Sequence, residues 1–306
     1  MAEWLYEDGI GECRAALVED GRIVAARIEV DDGAPRLGLV APARLIERSL
    51  ARLDDGSEVT LDRAAPGVTL GARLTIEITR EAIPEAGRPK PPRGRPTDDV
   101  PRAAPSLAES LVGAPVWRVQ AHEADALEAA GWSEVLEEAR TGDIDFAGGM
   151  LRLWPTPAMT LFDVDGDAPL DALAVRAAIA VAAAIVRHEI GGSIGIDFPT
   201  LAGREARQAV AAAIDRALPQ PFERTAMNGF GFLQIVRPRP RASLLERLRA
   251  DPVGAAARAA LRMIERAPPS ASPHYRLAPA VRDHILARPD WIEAVVRRTG
   301  RRPIFG

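Results

Sequence analysis

Apolar and polar residues alternate along residues 22–30, which predicts a strand with one buried and one wet face. Asp20-Gly21 just before it is a hairpin turn signal, and residues 3–6 and 12–18 read as the strands that lead into that turn. Residues 37–45, 58–61 and 73–79 are further short strand-like runs, separated by turns at 31–35 and at Asp54-Asp55-Gly56 and a loop at Pro66-Gly67. Short strands at this close spacing predict a small barrel or sandwich.

The alternation stops at residues 87–102, where Pro and Arg dominate without any period. This stretch predicts an extended or mobile linker, and its Arg88, Lys90, Arg93 and Arg95 make an RNA-contacting strap the alternative. Beyond it the helical period appears. Residues 106–112 read as a short helix, 116–120 as a strand, and 125–140 as a helix interrupted at Gly131-Trp132. Gly148-Gly149 turns into a strand at 150–154, and 159–163 is the next strand. A nearly all-apolar helix at 170–188 and an amphipathic helix at 204–218 follow, with strands ending at Phe198 and spanning 231–236. Helices at 244–248, 254–266, 278–287 and 289–298, a loop at 268–273 and a closing strand at 301–305 complete the chain.

Two of these strands end on aspartates: Leu161-Phe162-Asp163-Val164-Asp165-Gly166-Asp167 and Ile194-Gly195-Ile196-Asp197-Phe198. The apolar helix joins them. A right-handed strand–helix–strand crossover lays two strands parallel, usually as neighbours, so their carboxyl ends open on one edge. Ligands of α/β folds bind at such edges. Asp163, Asp165 and Asp197 are therefore expected to converge there. Converging carboxylates repel unless a hard cation lies between them, and oxygen donors suit Mg²⁺ or Mn²⁺. A Mg²⁺ held by few carboxylates keeps waters and takes phosphate, which points to phosphodiester chemistry.

Composition narrows the field. With 306 residues the chain is long enough for two or three compact units, and no apolar run reaches the ~20 residues of a membrane helix. Cys13 is the sole cysteine, which leaves no internal disulfide or zinc–cysteine site within one chain. The first residues lack the basic-then-apolar order of a signal peptide, and a cytoplasmic protein is the expectation. A net charge of −4 argues against a strongly electrostatic nucleic-acid binder, although Lys90 is the single lysine among 39 basic residues. That bias suggests a GC-rich coding sequence and lowers the meaning of any arginine cluster. His122, His188, His274 and His284 show no metal-ligand spacing; each reads as structural, His188 as a cation suited to the C-terminal end of its helix. Trp4, Trp117, Trp132, Trp154 and Trp291 read as core residues, and Asp167 and Asp171 as loop and helix-capping residues.

Four stretches, occurring along the chain in the family's order, resemble the ribonuclease E/G family. Phe146-Ala-Gly-Gly-Met-Leu-Arg-Leu-Trp-Pro-Thr-Pro-Ala-Met-Thr-Leu-Phe-Asp163-Val-Asp165 is similar to the family's Gly-Gly hairpin and metal motif. Gly191-Gly-Ser-Ile-Gly-Ile-Asp197-Phe resembles its second acidic motif, Met227-Asn-Gly-Phe230-Gly-Phe-Leu-Gln-Ile-Val-Arg237-Pro-Arg239-Pro-Arg241 the Arg-rich motif after it, and residues 3–29 its first strands. The resemblance implies that Asp163 and Asp197 are the two metal acids, with Asp165 where the family has Asn. It implies a Mg²⁺-dependent endoribonuclease that activates water, cuts single-stranded RNA and leaves a 5′-phosphate. The implied fold is mixed α/β: a ribonuclease H-like and DNase I-like catalytic core, an inserted OB-like barrel and a C-terminal helical segment. The corresponding boundaries are 1–36 and 105–154 for the ribonuclease H-like part, 37–86 for the barrel and 87–104 for the linker. The DNase I-like part is then 155–242 and the helical segment 243–306.

The departures from the family's pattern are specific. Asp165 adds charge to the site and could favour Mn²⁺; Gly166 replaces a serine, Gly229 an arginine, and Pro199-Thr200 follow where the family has a further acid. The zinc-link cysteines and a recognisable 5′-monophosphate pocket are missing, so no zinc is expected, and a homo-oligomer would have to form without a cysteine–zinc link. Arg204 and Arg207, near the start of the helix after Asp197, could reach a phosphate at the acidic edge. Arg237, Arg239 and Arg241 project from an extended segment toward an RNA backbone, and Phe230 is a base-stacking candidate. A non-catalytic RNA-binding relative is the second reading, and a DNA or nucleotide phosphodiesterase the third.

Overall fold

The computed structural model describes residues 1–85, 89–167 and 169–306. β1 (Glu3–Asp8), β2 (Glu12–Glu19) and β3 (Arg22–Val30) open the chain, and β4 (Val40–Glu47), β5 (Leu50–Leu53), β6 (Glu58–Leu61), β7 (Arg73–Arg80) and β8 (Arg93–Pro96) follow. Next come β9 (Val116–Arg118), α1 (Ala126–Ala129) and α2 (Trp132–Thr141). The central run is β10 (Asp143–Phe146), β11 (Gly149–Pro155), β12 (Thr160–Asp165), α3 (Leu170–Arg187), β13 (Gly192–Asp197), α4 (Arg204–Ala217), β14 (Glu223–Arg224) and β15 (Phe232–Arg237). α5 (Leu244–Ala250), α6 (Pro252–Glu265), β16 (His274–Tyr275), α7 (Pro279–Leu286), α8 (Pro289–Thr299) and β17 (Ile304–Phe305) close it. The described residues form two compact units, 1–32 with 107–133 and 248–306, and 33–106 with 134–247. No helix among them is long and apolar enough to cross a membrane.

The first unit holds a sheet in the order β3-β2-β1-β9, with β9 parallel to β1. Ile10 packs among Leu261, Ile264, Trp291 and Val295 of α6 and α8, so the C-terminal helices share a core with the opening strands. Beside that core lies a buried ionic network. Arg14, 1% exposed, contacts Glu7 at 2.7 Å and Glu12 at 2.8 Å. Arg258, Arg262 and Arg266 recur every fourth residue on the α6 side and meet the same acids: Arg258 pairs with Glu12, and the other two with Glu7 and Asp125. A charge taken out of water is tolerated only when partners surround it, and here each acid has at least two cations.

The second unit combines a closed barrel, in the order β4-β5-β6-β8-β7, with a six-stranded sheet in the order β10-β11-β12-β13-β15-β14. Small β-branched and aliphatic residues such as Ala51, Val59, Ile76 and Ile78 fill the barrel. In the sheet only β12 and β13 run parallel, joined by α3. The buried stripe of α3 is mostly alanine (Ala174, Ala177, Ala178, Ala182 and Ala184, with Val181 and Ile185), which lets the helix lie close on the sheet. His188 ends α3 fully buried, and its Nε2–H donates to the Glu138 carboxylate at 3.0 Å.

The structure corrects several expectations. Within the expected linker, Arg93–Pro96 is β8, which pairs with β6 and β7 and closes the barrel beyond residue 86. Proline can take a barrel strand here because β8 is short, with Pro96 as its last residue. Gly87 and Arg88 of that expected linker lie outside the described residues. The expected helix at 106–112 is a single 3-10 turn at Ala108–Ser110. β10 and β11 pair into the sheet of β12, so the boundary expected between 154 and 155 falls inside a sheet. Trp4, Trp132 and Trp291 are buried, whereas Trp117 and Trp154 are exposed. His188 is fully buried rather than set at an open helix end, and burial pushes its pKa down, against the raising effect of Glu138.

Arg14→Ala is expected to destabilise the fold by ~3–5 kcal/mol, because it leaves buried carboxylates short of a partner. Arg52→Ala, which removes the exposed pair with Glu58, should cost at most about 1 kcal/mol. Urea unfolding of both variants checks the contrast, and equal costs would contradict it. His188 makes a pH prediction. Its folded pKa lies below the ordinary 6.5, so as pH falls below that value the unfolded chain binds a proton that the folded chain refuses. Stability should therefore drop on acidification from about 6.5 downward and be regained above it. Thermal melting of His188→Gln across that range should show a flatter slope than wild type.

Candidate active site on the open sheet face

Strand alternation sorts the side chains of the six-stranded sheet. Leu151, Leu153, Phe162, Val164, Ile194, Ile196, Leu233 and Ile235 are buried. The residues between them in sequence lie on the other face, which includes the exposed Arg152, Trp154, Asp163, Asp165 and Asp197. In the parallel register Asp163 sits directly opposite Asp197. Adjacent strands lie about 4.8 Å apart, so the two carboxylates rise side by side from one face.

The register extends this into a row with three more positions. Asp143 faces Arg152, Arg152 faces Asp163, and Asp197 faces Phe232. Two residues along the strands in one direction, Asp145, Met150 and Asp165 make the next row. Two residues the other way, the row is Trp154, Leu161, Gly195 and Gln234. Gly195 leaves a gap that its neighbours fill: a Cβ there would stand 2.7 Å from the Phe232 ring and 2.9 Å from both Leu161 and the Met159 sulfur. The open face thus has a carboxylate row and, beside it, an apolar floor.

Asp165 differs from the other two acids. Its carboxylate pairs with Arg152 at 2.9 Å, both groups about half exposed. Such a pair is worth little in stability, yet it sets the local charge. The turn beyond Asp165 is close-packed. A Cβ on Gly166 would come within 2.5 Å of the Gly148 carbonyl oxygen, so the serine of the resembled family has no room here.

The remaining sequence candidates are distributed as follows. Arg204 is exposed at the start of α4, while Arg207 donates to the Leu201 carbonyl oxygen at 2.8 Å and so holds the turn after β13. Arg237 shares its strand face with Leu233 and Ile235, opposite the carboxylates, and burial lowers its pKa against the pull of Glu189. Arg239 pairs with Glu85 and Glu246, and Arg241 with Glu81 and Glu189. These two arginines link the chain after β15 to the exit of the barrel. Phe230 is 84% exposed at the tip of a turn that Asn228 holds, its Oδ1 accepting from the N–H groups of Phe230 and Phe232 at 2.9 and 3.0 Å. The structure therefore brings Asp163, Asp165 and Asp197 to one face and sends Arg237, Arg239 and Arg241 elsewhere.

Arg152 and Trp154 are additions to the sequence candidates. The alternation Leu151-Arg152-Leu153-Trp154 carries the signal, since it puts both on one face of a strand that adjoins the first acid. Asp143 was hidden because β10 has too short an apolar pattern to read as a strand.

Among the described residues no three His, Cys, Asp or Glu side chains gather as a ready metal cage. Two adjacent carboxylates nevertheless suit Mg²⁺, which is usually held by one or two carboxylates, waters and substrate phosphate rather than by an all-protein cage. Asp163 and Asp197 are the residues that would hold it, with oxygen donors of the right hardness. No family model matches the chain, and no characterised protein matches it in sequence.

Proposed function

We propose that the chain is a divalent-metal-dependent endoribonuclease of the ribonuclease E/G type, acting on single-stranded RNA. The observation that carries the reading is the register pairing of Asp163 with Asp197 on the open face. Two exposed carboxylates one strand spacing apart repel each other, and a cation between them relieves that repulsion. Mg²⁺ or Mn²⁺, when bound, supplies Lewis-acid polarisation of a phosphoryl oxygen and lowers the pKa of water. Asp163 and Asp197 hold and orient the ion. Arg152, next in the row, offers a guanidinium to a phosphate oxygen and steadies Asp165. Attack of water at phosphorus, with departure of the 3′ oxygen, leaves the phosphate on the 5′ end of the downstream product.

Under this reading the six-stranded sheet with α3 and α4 is the DNase I-like part and the β3-β2-β1-β9 sheet belongs to the ribonuclease H-like part. The closed barrel is then the OB-like RNA-binding insertion, for which a five-stranded closed barrel is the appropriate architecture. One observation favours the second reading, a non-catalytic RNA-binding relative. The Arg152–Asp165 pair already neutralises one of the three acids, so less charge remains to demand a metal.

The test is cleavage of an end-labelled unstructured RNA with Mg²⁺, with Mn²⁺ and with neither. Wild type is expected to cut internally only with a metal. Asp163→Asn and Asp197→Asn should each lower the rate at least about 100-fold, the scale of one lost electrostatic contact to the transition state. Asp165→Asn should cost far less, because Asp165 is engaged by Arg152. RNA binding without cleavage by folded wild type would favour the non-catalytic relative; cleavage that survives both substitutions would discard the site. Arg152→Ala is expected to raise KM more than Asp165→Asn does, as measured on the same RNA.

A further inference from the structure

We infer that the first unit carries a small-molecule site of its own: a cleft that takes the zwitterion of a free α-amino acid, its carboxylate on Arg118 and its ammonium on Asp8. The site goes beyond the nuclease reading and does not rest on it. Every residue that lines it belongs to that one unit. The cleft measures about 330 Å³, near the lower end of the ~300–1,000 Å³ common for ligand pockets. β1 and β9 run parallel, so their carboxyl ends open on one edge of the sheet. Sheets with parallel strands place ligands at such edges. The cleft lies there. β1 ends in Glu7 and Asp8 and β9 in Arg118, and these three line it together with the turn after β9 and the ends of α6 and α8.

Most charges on the wall already have partners. Glu7 meets Arg14, Arg262 and Arg266. Arg266 also donates to the Glu123 carbonyl oxygen at 2.9 Å, and Arg298 to the Glu265 carboxylate at 2.9 Å. Two groups of opposite sign remain. Arg118 has no carboxylate partner among the described residues. Its guanidinium lies over the Tyr6 ring, 5.4 Å from the centroid, which steadies the group and uses none of its N–H donors. Asp8 is half exposed, and its nearest cation, Arg298, stands 3.9 Å away, beyond hydrogen-bond reach. The Asp8 Oδ1 accepts from the Cys13 thiol at 3.7 Å, and the Cys13 Sγ from the Tyr6 hydroxyl at 3.3 Å. Burial raises the pKa of Tyr6 and of Cys13, so both stay protonated and the run of donors ends on Asp8. Tyr6 faces Arg118 across the strands. Asp8 lies two residues further along β1 on the same face, about 7 Å at strand rise. A simple anion would gain Arg118 and be repelled by Asp8; a simple cation would meet the reverse. An α-amino acid, whose two charges are joined through one carbon, satisfies both side chains at once.

The experiment begins with thermal melting of the full chain in the presence of each proteinogenic amino acid, since a ligand of the folded state raises the melting temperature. Calorimetry then gives the Kd of the most stabilising one for wild type, Arg118→Gln and Asp8→Asn. Each substitution is expected to raise Kd about 10- to 150-fold, the range of one hydrogen bond to a charged group. Two derivatives of that amino acid separate the two contacts. Its amide, which lacks the carboxylate, should bind wild type and Arg118→Gln alike. Its N-acetyl form, which lacks the ammonium, should bind wild type and Asp8→Asn alike. Both variants should melt as wild type does without ligand, because both side chains lie at the surface. Folded wild type whose melting no amino acid shifts would overturn the inference, as would equal Kd values for wild type and the two variants. An N-acetyl form that wild type binds as tightly as the parent would overturn it too, in favour of a plain anion site.

Discussion

The parallel pairing of β12 with β13 sets the geometry on which the open face depends. The crossover through α3 fixes the direction of the two strands, and the buried alternation of Phe162, Val164, Ile194 and Ile196 fixes their register. A slip of one residue would turn Asp163 or Asp197 into the helix-covered side and bring an isoleucine or phenylalanine out. Neither exchange is tolerable, since an unpaired carboxylate under α3 has no partner there. The core thus holds the carboxylates together without contacting them. The energy that opposes their mutual repulsion comes from hydrophobic burial on the other side of the sheet.

Charge is handled differently in the two units. In the first, Arg14 and the α6 arginines surround Glu7, Glu12 and Asp125, and almost no charge is left uncompensated in the buried network. In the second, Arg239, Arg241 and Arg247 are taken by Glu85, Glu246 and Glu81. Among the described residues the open face is the exception, with Asp143, Asp145, Asp163, Asp165 and Asp197 in the rows that Arg152 joins. A polyanion approaches such a face only through a bound cation. Metal binding and RNA binding are therefore one event in this account rather than two.

Much of this was legible in the sequence, because hydrophobic period and turn chemistry report local structure. The crossover from β12 through α3 to β13, and with it the meeting of Asp163 and Asp197, follows from an apolar helix between two strands that end on acids. β8 was not legible: its pairing partners lie 13 to 33 residues away, and its Pro and Arg content is that of a linker. Arginine roles were legible least of all. Arg237 reads as the neighbour of Arg239 and Arg241, yet strand parity and the positions of Glu81, Glu85 and Glu189 decide where each goes. Trp154 was misassigned for a related reason. Exposure of a large aromatic depends on whether anything covers the second face of the sheet, and no local pattern encodes that.

The central claim is that Asp163 and Asp197 together make one divalent-cation site. Titration of the folded chain with Mn²⁺, followed by electron paramagnetic resonance of the free ion, tests this without any substrate. The account predicts one Mn²⁺ site per chain that is lost in Asp163→Asn and in Asp197→Asn and kept in Asp165→Asn. Mn²⁺ bound equally by wild type and by the two variants, or by none of them, would contradict it.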